Sequence, residues 1–275
     1  MGHTIPKGDS SMDMIIFSGQ SNMQGQTNDL PNGLFEKPVE NAYEYRFLQD
    51  ELIPLQAPAG EDIDHSGNFL DVEGWKNSRQ TLQKAALLAP VLNSGNMVPA
   101  FCESYVTQTG RSVAAVHAAK GSTGIDYWLK GNPGYTAMHR KVKAAIAKVR
   151  PERVFFVWLQ GESDAIAGMS QKEYSQKLSQ LNRAIREDLG VERFGIIQVG
   201  RFTMKDSDFE IINAQKEICQ ADPTFLMLTT VTEALVADPN CMNPRARGHF
   251  NSHGQTRIGT LAGMTLGAYA GGKGK

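Results

Sequence analysis

Four short polar segments of this chain hold side chains able to act together in acyl transfer. Ser21 stands in Phe17-Ser-Gly-Gln-Ser-Asn-Met-Gln-Gly25, directly behind the apolar run Met14-Ile-Ile-Phe17. A serine just past a buried strand, beside glycines, is placed as a nucleophile is in α/β hydrolases. The run lacks the G-x-S-x-G elbow of common lipases, and its plain alternative is a helix N-cap. The second segment, Val157-Trp-Leu-Gln-Gly-Glu-Ser-Asp-Ala165, also follows an apolar run and offers Gln160, Glu162 and Asp164. The third, His249-Phe-Asn-Ser-His-Gly254, precedes the last amphipathic stretch, and the fourth, Lys120-Gly-Ser-Thr-Gly124, ends another apolar run. Gly121-Ser-Thr-Gly124 lacks the Gly-Lys-Ser/Thr pattern of a phosphate loop.

The elements that must position these residues alternate in type. Met14–Ser18, Val113–His117, Arg153–Leu159, Phe194–Val199 and Phe225–Thr230 read as strands, mostly continuous apolar runs suited to burial on both faces. Pro99–Thr109, Tyr135–Val149, Gln171–Leu189, Phe209–Gln220 and Gln255–Tyr269 have helical spacing, with Gly190 as a C-terminal stop and Pro151 beyond the second. Strands separated by helices of this length predict a parallel sheet with right-handed crossovers. In a doubly wound sheet the four polar segments then meet on one rim, at the carboxyl ends of the strands. Residues 28–96 break the rhythm with Pro54, Pro58 and many turn-forming residues, and read as a long insertion near Ser21.

Together, Gly-Gln-Ser-Asn-Met, Trp-x-Gln-Gly-Glu-x-Asp and the late His-Phe-Asn resemble the blocks of the SGNH-hydrolase superfamily. The branch they are most similar to is carbohydrate esterase family 6, with its acetylxylan esterases, and the related sialic-acid O-acetylesterases. The resemblance runs from Met14 to about Tyr269. It implies a single domain over residues 1–275, a three-layer α/β/α flavodoxin-like sandwich around a parallel sheet of about five strands, and hydrolysis of O-acetyl esters on sugars.

The resemblance assigns roles by position. Serine needs an adjacent base, and His249 stands at the family's histidine position. It would take the proton from Ser21 and return it to the leaving sugar hydroxyl. The oxyanion donors would be the backbone N–H groups of Ser21 and Gly121 and the side-chain amide of Gln160. Gln20, Asn22 and Trp128 are placed as substrate contacts, although an aromatic such as Trp128 or Trp75 is more often core or lid. Relatives carry an acid three residues before the histidine, where this chain has Ala246. Glu162 is the expected substitute; a Ser-His dyad, Asp164, Asp238 or a backbone carbonyl are the alternatives. Arg245 and Arg247 could pair with an acidic sugar, though two solvated cations are the simpler reading. His253 reads as capping or solvated; with Gly254 interrupting and no third ligand apparent, no metal site is expected.

Bulk properties narrow the field further. A net charge of −1 in 275 residues gives no reason to expect nucleic acid or an anionic membrane as partner. No apolar run approaches the roughly 20 residues that span a bilayer. Three cysteines without C-x-x-C spacing suggest neither a disulfide framework nor a thiolate zinc site. The start is polar and lacks an apolar signal core, so a cytoplasmic setting is the expectation. The expected reading is a serine esterase without metal or cofactor, acting on a small carbohydrate ester, with oligomeric state open. A lipase- or thioesterase-like hydrolase of non-sugar esters and a non-catalytic carbohydrate-binding descendant are the alternatives; a flavodoxin-like cofactor binder is remote.

Overall fold

A computed structural model describes residues 11–27, 37–47, 49–60 and 95–272. Trp75 and most of the expected insertion lie outside them. Seven strands form one sheet: β1 (Met12–Gly19), β2 (Ala42–Arg46), β3 (Glu51–Pro54), β4 (Ser112–Ala119), β5 (Arg153–Leu159), β6 (Arg193–Ile197) and β7 (Phe225–Thr229). Their order is β3-β2-β4-β1-β5-β6-β7, parallel except for the β2–β3 pair. The five strands and five helices expected from periodicity are all present within a few residues. The additional two, β2 and β3, arise inside the segment expected to be an insertion. They are short, contain Glu44 and Arg46, and occupy an edge, so they lack the apolar runs of the central strands.

Helices cover both faces. The long ones are α2 (Val98–Thr109), α3 (Pro133–Val149), α5 (Gln171–Leu189), α6 (Ser207–Ala221) and α8 (Ser252–Gly272). Short α1 (Ser21–Gln24), α4 (Glu162–Ala167) and α7 (Thr232–Leu235) follow the ends of β1, β5 and β7. Burial explains the choice of elements. Every residue of β4 is buried, as are Met14 to Gly19 in β1 and Val154 to Leu159 in β5. Strands so covered must be apolar on both faces. In α5, Tyr174, Leu178, Leu181 and Ile185 face inward, Ser170 caps the N-terminus by accepting from the Glu173 N–H, and left-handed Gly190 ends the helix.

The register places the chemistry. Gly19 of β1 is level with Ala119 of β4 and with Leu159 of β5. Two residues beyond each stand Ser21, Gly121 and Gly161. The chain fills β4 on one side of β1 and β5 on the other, so the strand order reverses at β1. Such a reversal opens a crevice at the carboxyl ends of the strands, and Ser21 sits at its mouth.

Candidate active site

Gly19 allows the turn that carries the chain from β1 to Ser21. Its φ of 144° suits glycine, and a Cβ there would collide with the carbonyl of Leu159 on β5. The chain can therefore leave β1 tightly against β5 and enter α1, whose first residue is Ser21. A backbone N–H at that position has no intrahelical acceptor.

His249 reaches this serine from 228 residues away. Its Nε2 lies 2.7 Å from Ser21 Oγ. Its Nδ1 lies 3.2 Å from the carbonyl oxygen of Ala246 and 3.1 Å from that of Arg247. Carbonyls only accept, so Nδ1 carries the proton and Nε2 is the lone-pair nitrogen that accepts from Ser21. That is the tautomer a general base requires. Burial pulls the pKa of His249 below the ordinary histidine value, and the two carbonyl bonds only partly oppose it. Gly248, at φ 79°, brings the loop against the Phe202 ring, which meets the imidazole edge-on at 5.9 Å between centroids.

Glu162 does not take the place of the missing acid at Nδ1. Its Oε1 accepts from Asn22 Nδ2 at 3.0 Å, and its buried Oε2 has no hydrogen-bond partner. Burial raises its pKa, with the Asn22 bond opposing. Its link to His249 runs through Asn22. The Asn22 amide also donates to the Gly248 carbonyl at 3.2 Å and accepts from the Phe250 N–H at 3.2 Å, gripping the backbone on both sides of His249. Asn22, expected at the substrate, is thus a brace between Glu162 and the histidine loop.

Other expected site residues also point inward. Gln160 is fully buried, and its Nε2 donates to Gln20 Oε1, the Thr123 carbonyl and Asp164. An amide so committed has no N–H left for an oxyanion. Gln20 Oε1 accepts from Gln160 and from the N–H groups of Gly161 and Ser163, which ties the ends of β1 and β5 together. Asp164 accepts from the Ile125 N–H at 3.0 and 3.1 Å and anchors the loop that starts at Gly121. Trp128 is fully buried, donates to Thr123 Oγ1 at 3.0 Å and packs edge-on against Trp158. It belongs to the core and not to a sugar platform. His253 is exposed on the first turn of α8, and among the described residues no group of three His, Cys, Asp or Glu side chains could hold a metal ion.

A groove of about 530 Å³ opens beside His249, lined by Ile166, Phe202, Thr203, Lys205 and Arg247 among others. That volume suits a small ligand. Among the described residues, Lys205 and Arg247 have no ion-pair partner. Arg247 is a candidate already from its nearness to His249 in the sequence. Phe202 and Lys205, from the loop after β6, carry no sequence signal that ties them to the site.

The family described as carbohydrate esterase, sialic acid-specific acetylesterase, matches residues 11–266. The chain belongs to that family. This sialic acid-specific acetylesterase family member is therefore a carbohydrate esterase. Comparison with curated proteins finds no matching sequence. Among solved structures, a protein from Arabidopsis thaliana is 19% identical, with a TM-score of 0.67 over 93% of this chain and 98% of its own. NanS is 13% identical, with a TM-score of 0.64 over 97% and 99%. A carbohydrate acetylesterase from Xanthomonas citri is 15% identical, with a TM-score of 0.56 over 96% of this chain and 57% of its own. At these identities the esterase shares their fold.

Proposed function

We propose that this esterase removes O-acetyl groups from sugars by a Ser21-His249 dyad through an acyl-enzyme. The observation that carries the reading is the 2.7 Å contact between Ser21 Oγ and His249 Nε2 across the crevice at β1. Ser21 Oγ attacks the acetyl carbonyl carbon, its proton passes to Nε2, and the carbonyl π pair moves onto oxygen. Collapse breaks the bond to the sugar oxygen, which takes the proton from His249. Water then repeats the sequence and releases acetate. The Ala246 and Arg247 carbonyls hold the imidazole in its working tautomer. They stabilise the imidazolium by dipoles, where a carboxylate would supply a full charge.

The groove supports a sugar leaving group with an anionic substituent. Phe202 and Ile166 offer apolar surface, and Lys205 and Arg247, which have no ion-pair partner among the described residues, offer cations for the carboxylate of a sialic acid. A sugar ester therefore fits better than the long acyl chain of a lipase substrate.

Hydrolysis of p-nitrophenyl acetate and of O-acetylated sialic acid by wild type, Ser21→Ala and His249→Ala tests this reading. Each variant is expected to lose kcat by as much as about 10⁶-fold. Turnover by Ser21→Ala near the wild-type rate would sink it. Arg247→Ala is expected to raise KM for the sialic acid ester and leave p-nitrophenyl acetate unaffected.

A further inference from the structure

The mechanism above leaves the oxyanion with too few donors. Gln160 is spent in the interior, and the Gly121 N–H is already in use. It donates to Gln24 Oε1 at 2.7 Å. The atom facing an N–H must be the amide oxygen, so this orientation of Gln24 is fixed by chemistry. Gln24 is also on α1, one turn after Ser21.

A second glutamine faces the same point. A methyl group placed on Gly121 would lie 3.4 Å from Ser21 Cβ, 3.1 Å from Gln24 Oε1 and 3.3 Å from Gln26 Nε2. The nucleophile's side chain, the glycine donor and two amides thus converge on one small volume. Gln26 is buried, yet among the described residues no hydrogen bond engages its side chain. Its backbone is firmly moored, because its carbonyl accepts from Asn243 Nδ2 at 2.6 Å and the Asn243 N–H donates to the His249 carbonyl at 2.8 Å. A fixed backbone carrying an uncommitted amide N–H beside Gly121, which itself adjoins Ser21, is the arrangement an oxyanion donor needs.

We infer that Gln26 Nε2 is the side-chain donor of the oxyanion hole and that Gln24 Oε1 occupies the Gly121 donor until the oxyanion displaces it. The inference rests on the Ser21-His249 reading. An ester carbonyl is a weaker acceptor than an amide oxygen, so the bound substrate leaves Gln24 in place. The oxyanion is charged, and hydrogen bonds to it are roughly twice as strong as neutral ones. It takes the Gly121 N–H from Gln24 and adds the Gln26 N–H. The Gly121 contact forms only as charge develops, and the Gln26 contact strengthens with it, which is how binding energy lowers a barrier rather than KM. Gln26 is thus a catalytic residue, and Gln24 competes with the oxyanion for the Gly121 donor.

The two glutamines are expected to respond in opposite directions. Steady-state kinetics on p-nitrophenyl acetate, with the rate at which diethyl p-nitrophenyl phosphate labels Ser21 read by mass spectrometry, test this in the full chain. Gln26→Leu is expected to lose about 10²-fold in kcat with little change in KM. Gln26→Glu, which replaces a donor by an anion, is expected to lose more than Gln26→Leu. Gln24→Ala is expected to lower KM and raise kcat/KM. Labelling rates should follow the same order. Gln26→Leu within twofold of wild type, or Gln24→Ala as impaired as Gln26→Leu, overturns the inference. If Ser21→Ala is inactive in those same assays, the Ser21-His249 reading survives that loss. A wild type that is neither active nor labelled overturns both.

Discussion

At the N-terminal end of β1, Asp13 is fully buried and both its oxygens are engaged. Arg111 donates to them at 2.8 and 2.9 Å, Arg153 at 3.1 and 2.7 Å, and the Tyr105 hydroxyl at 2.5 Å. At the other end, beside Ser21, Glu162 is also buried but among the described residues has only neutral donors and one oxygen without a side-chain or ion-pair partner. Burial raises the pKa of both carboxyls. At Asp13 the bonds from Arg153, Arg111 and Tyr105 outweigh it, and the net shift is downward. At Glu162 the Asn22 bond and the neighbouring backbone N–H groups do not, and the net shift is upward. The same group at opposite ends of one strand thus strengthens the scaffold in one place and strains it in the other. The rim that does chemistry keeps uncommitted groups that the base of the sheet would not tolerate.

The largest effect expected from this contrast is at Asp13. Asp13→Asn leaves two arginines facing a neutral group and is expected to cost about 3–5 kcal/mol in urea unfolding, while kcat is kept. A loss below about 1 kcal/mol would remove the claim that this network holds the base of β1 together. The pH dependence has a definite sign. A depressed carboxyl stabilises above its unfolded pKa, and that contribution is lost as pH falls through the lowered folded value.

Glu162 has the opposite sign. Its raised pKa means the folded state favours the protonated form, so ionisation costs stability as pH rises above the unfolded value. Glu162→Gln is expected to raise the unfolding free energy at pH 8 by on the order of 1 kcal/mol, and with it the unfolding midpoint, the gain fading toward pH 4. A midpoint lower than wild type at pH 8 would break the comparison. Activity should fall only modestly, because glutamine keeps an oxygen for Asn22. A loss as deep as that of His249→Ala would instead make Glu162 part of the chemistry.

The smallest effect is a displacement of the pH–rate profile. His249 must be neutral to accept from Ser21, and burial lowers its pKa from 6.5. The acidic limb of kcat/KM is therefore expected to reach half its plateau below pH 6.5. A midpoint above 7 would mean that a carboxylate reaches the imidazole.

Much of this was legible in the amino-acid sequence. Strands such as Met12–Gly19 and Arg153–Leu159 announce themselves because burial on both faces forces continuous apolar runs. Helices such as Gln171–Leu189 do so because one face only is buried. Those periodicities, with the blocks around Ser21, Gly121, Gln160 and His249, determined the sandwich, the rim and the family. They did not reveal β2 and β3, whose mixed polar composition matches many loops. Nor could they say which way Gln20, Asn22, Gln160 and Trp128 point. A side chain just past a strand end, or in the short helix or loop that follows, turns inward or outward according to the partners that await it, and those come from other strands and loops. Gln160 meets Gln20, Thr123 and Asp164. The tertiary structure also decided what orients His249. Backbone carbonyls look alike at every position of a sequence, and only the fold of the loop brings those of Ala246 and Arg247 to Nδ1.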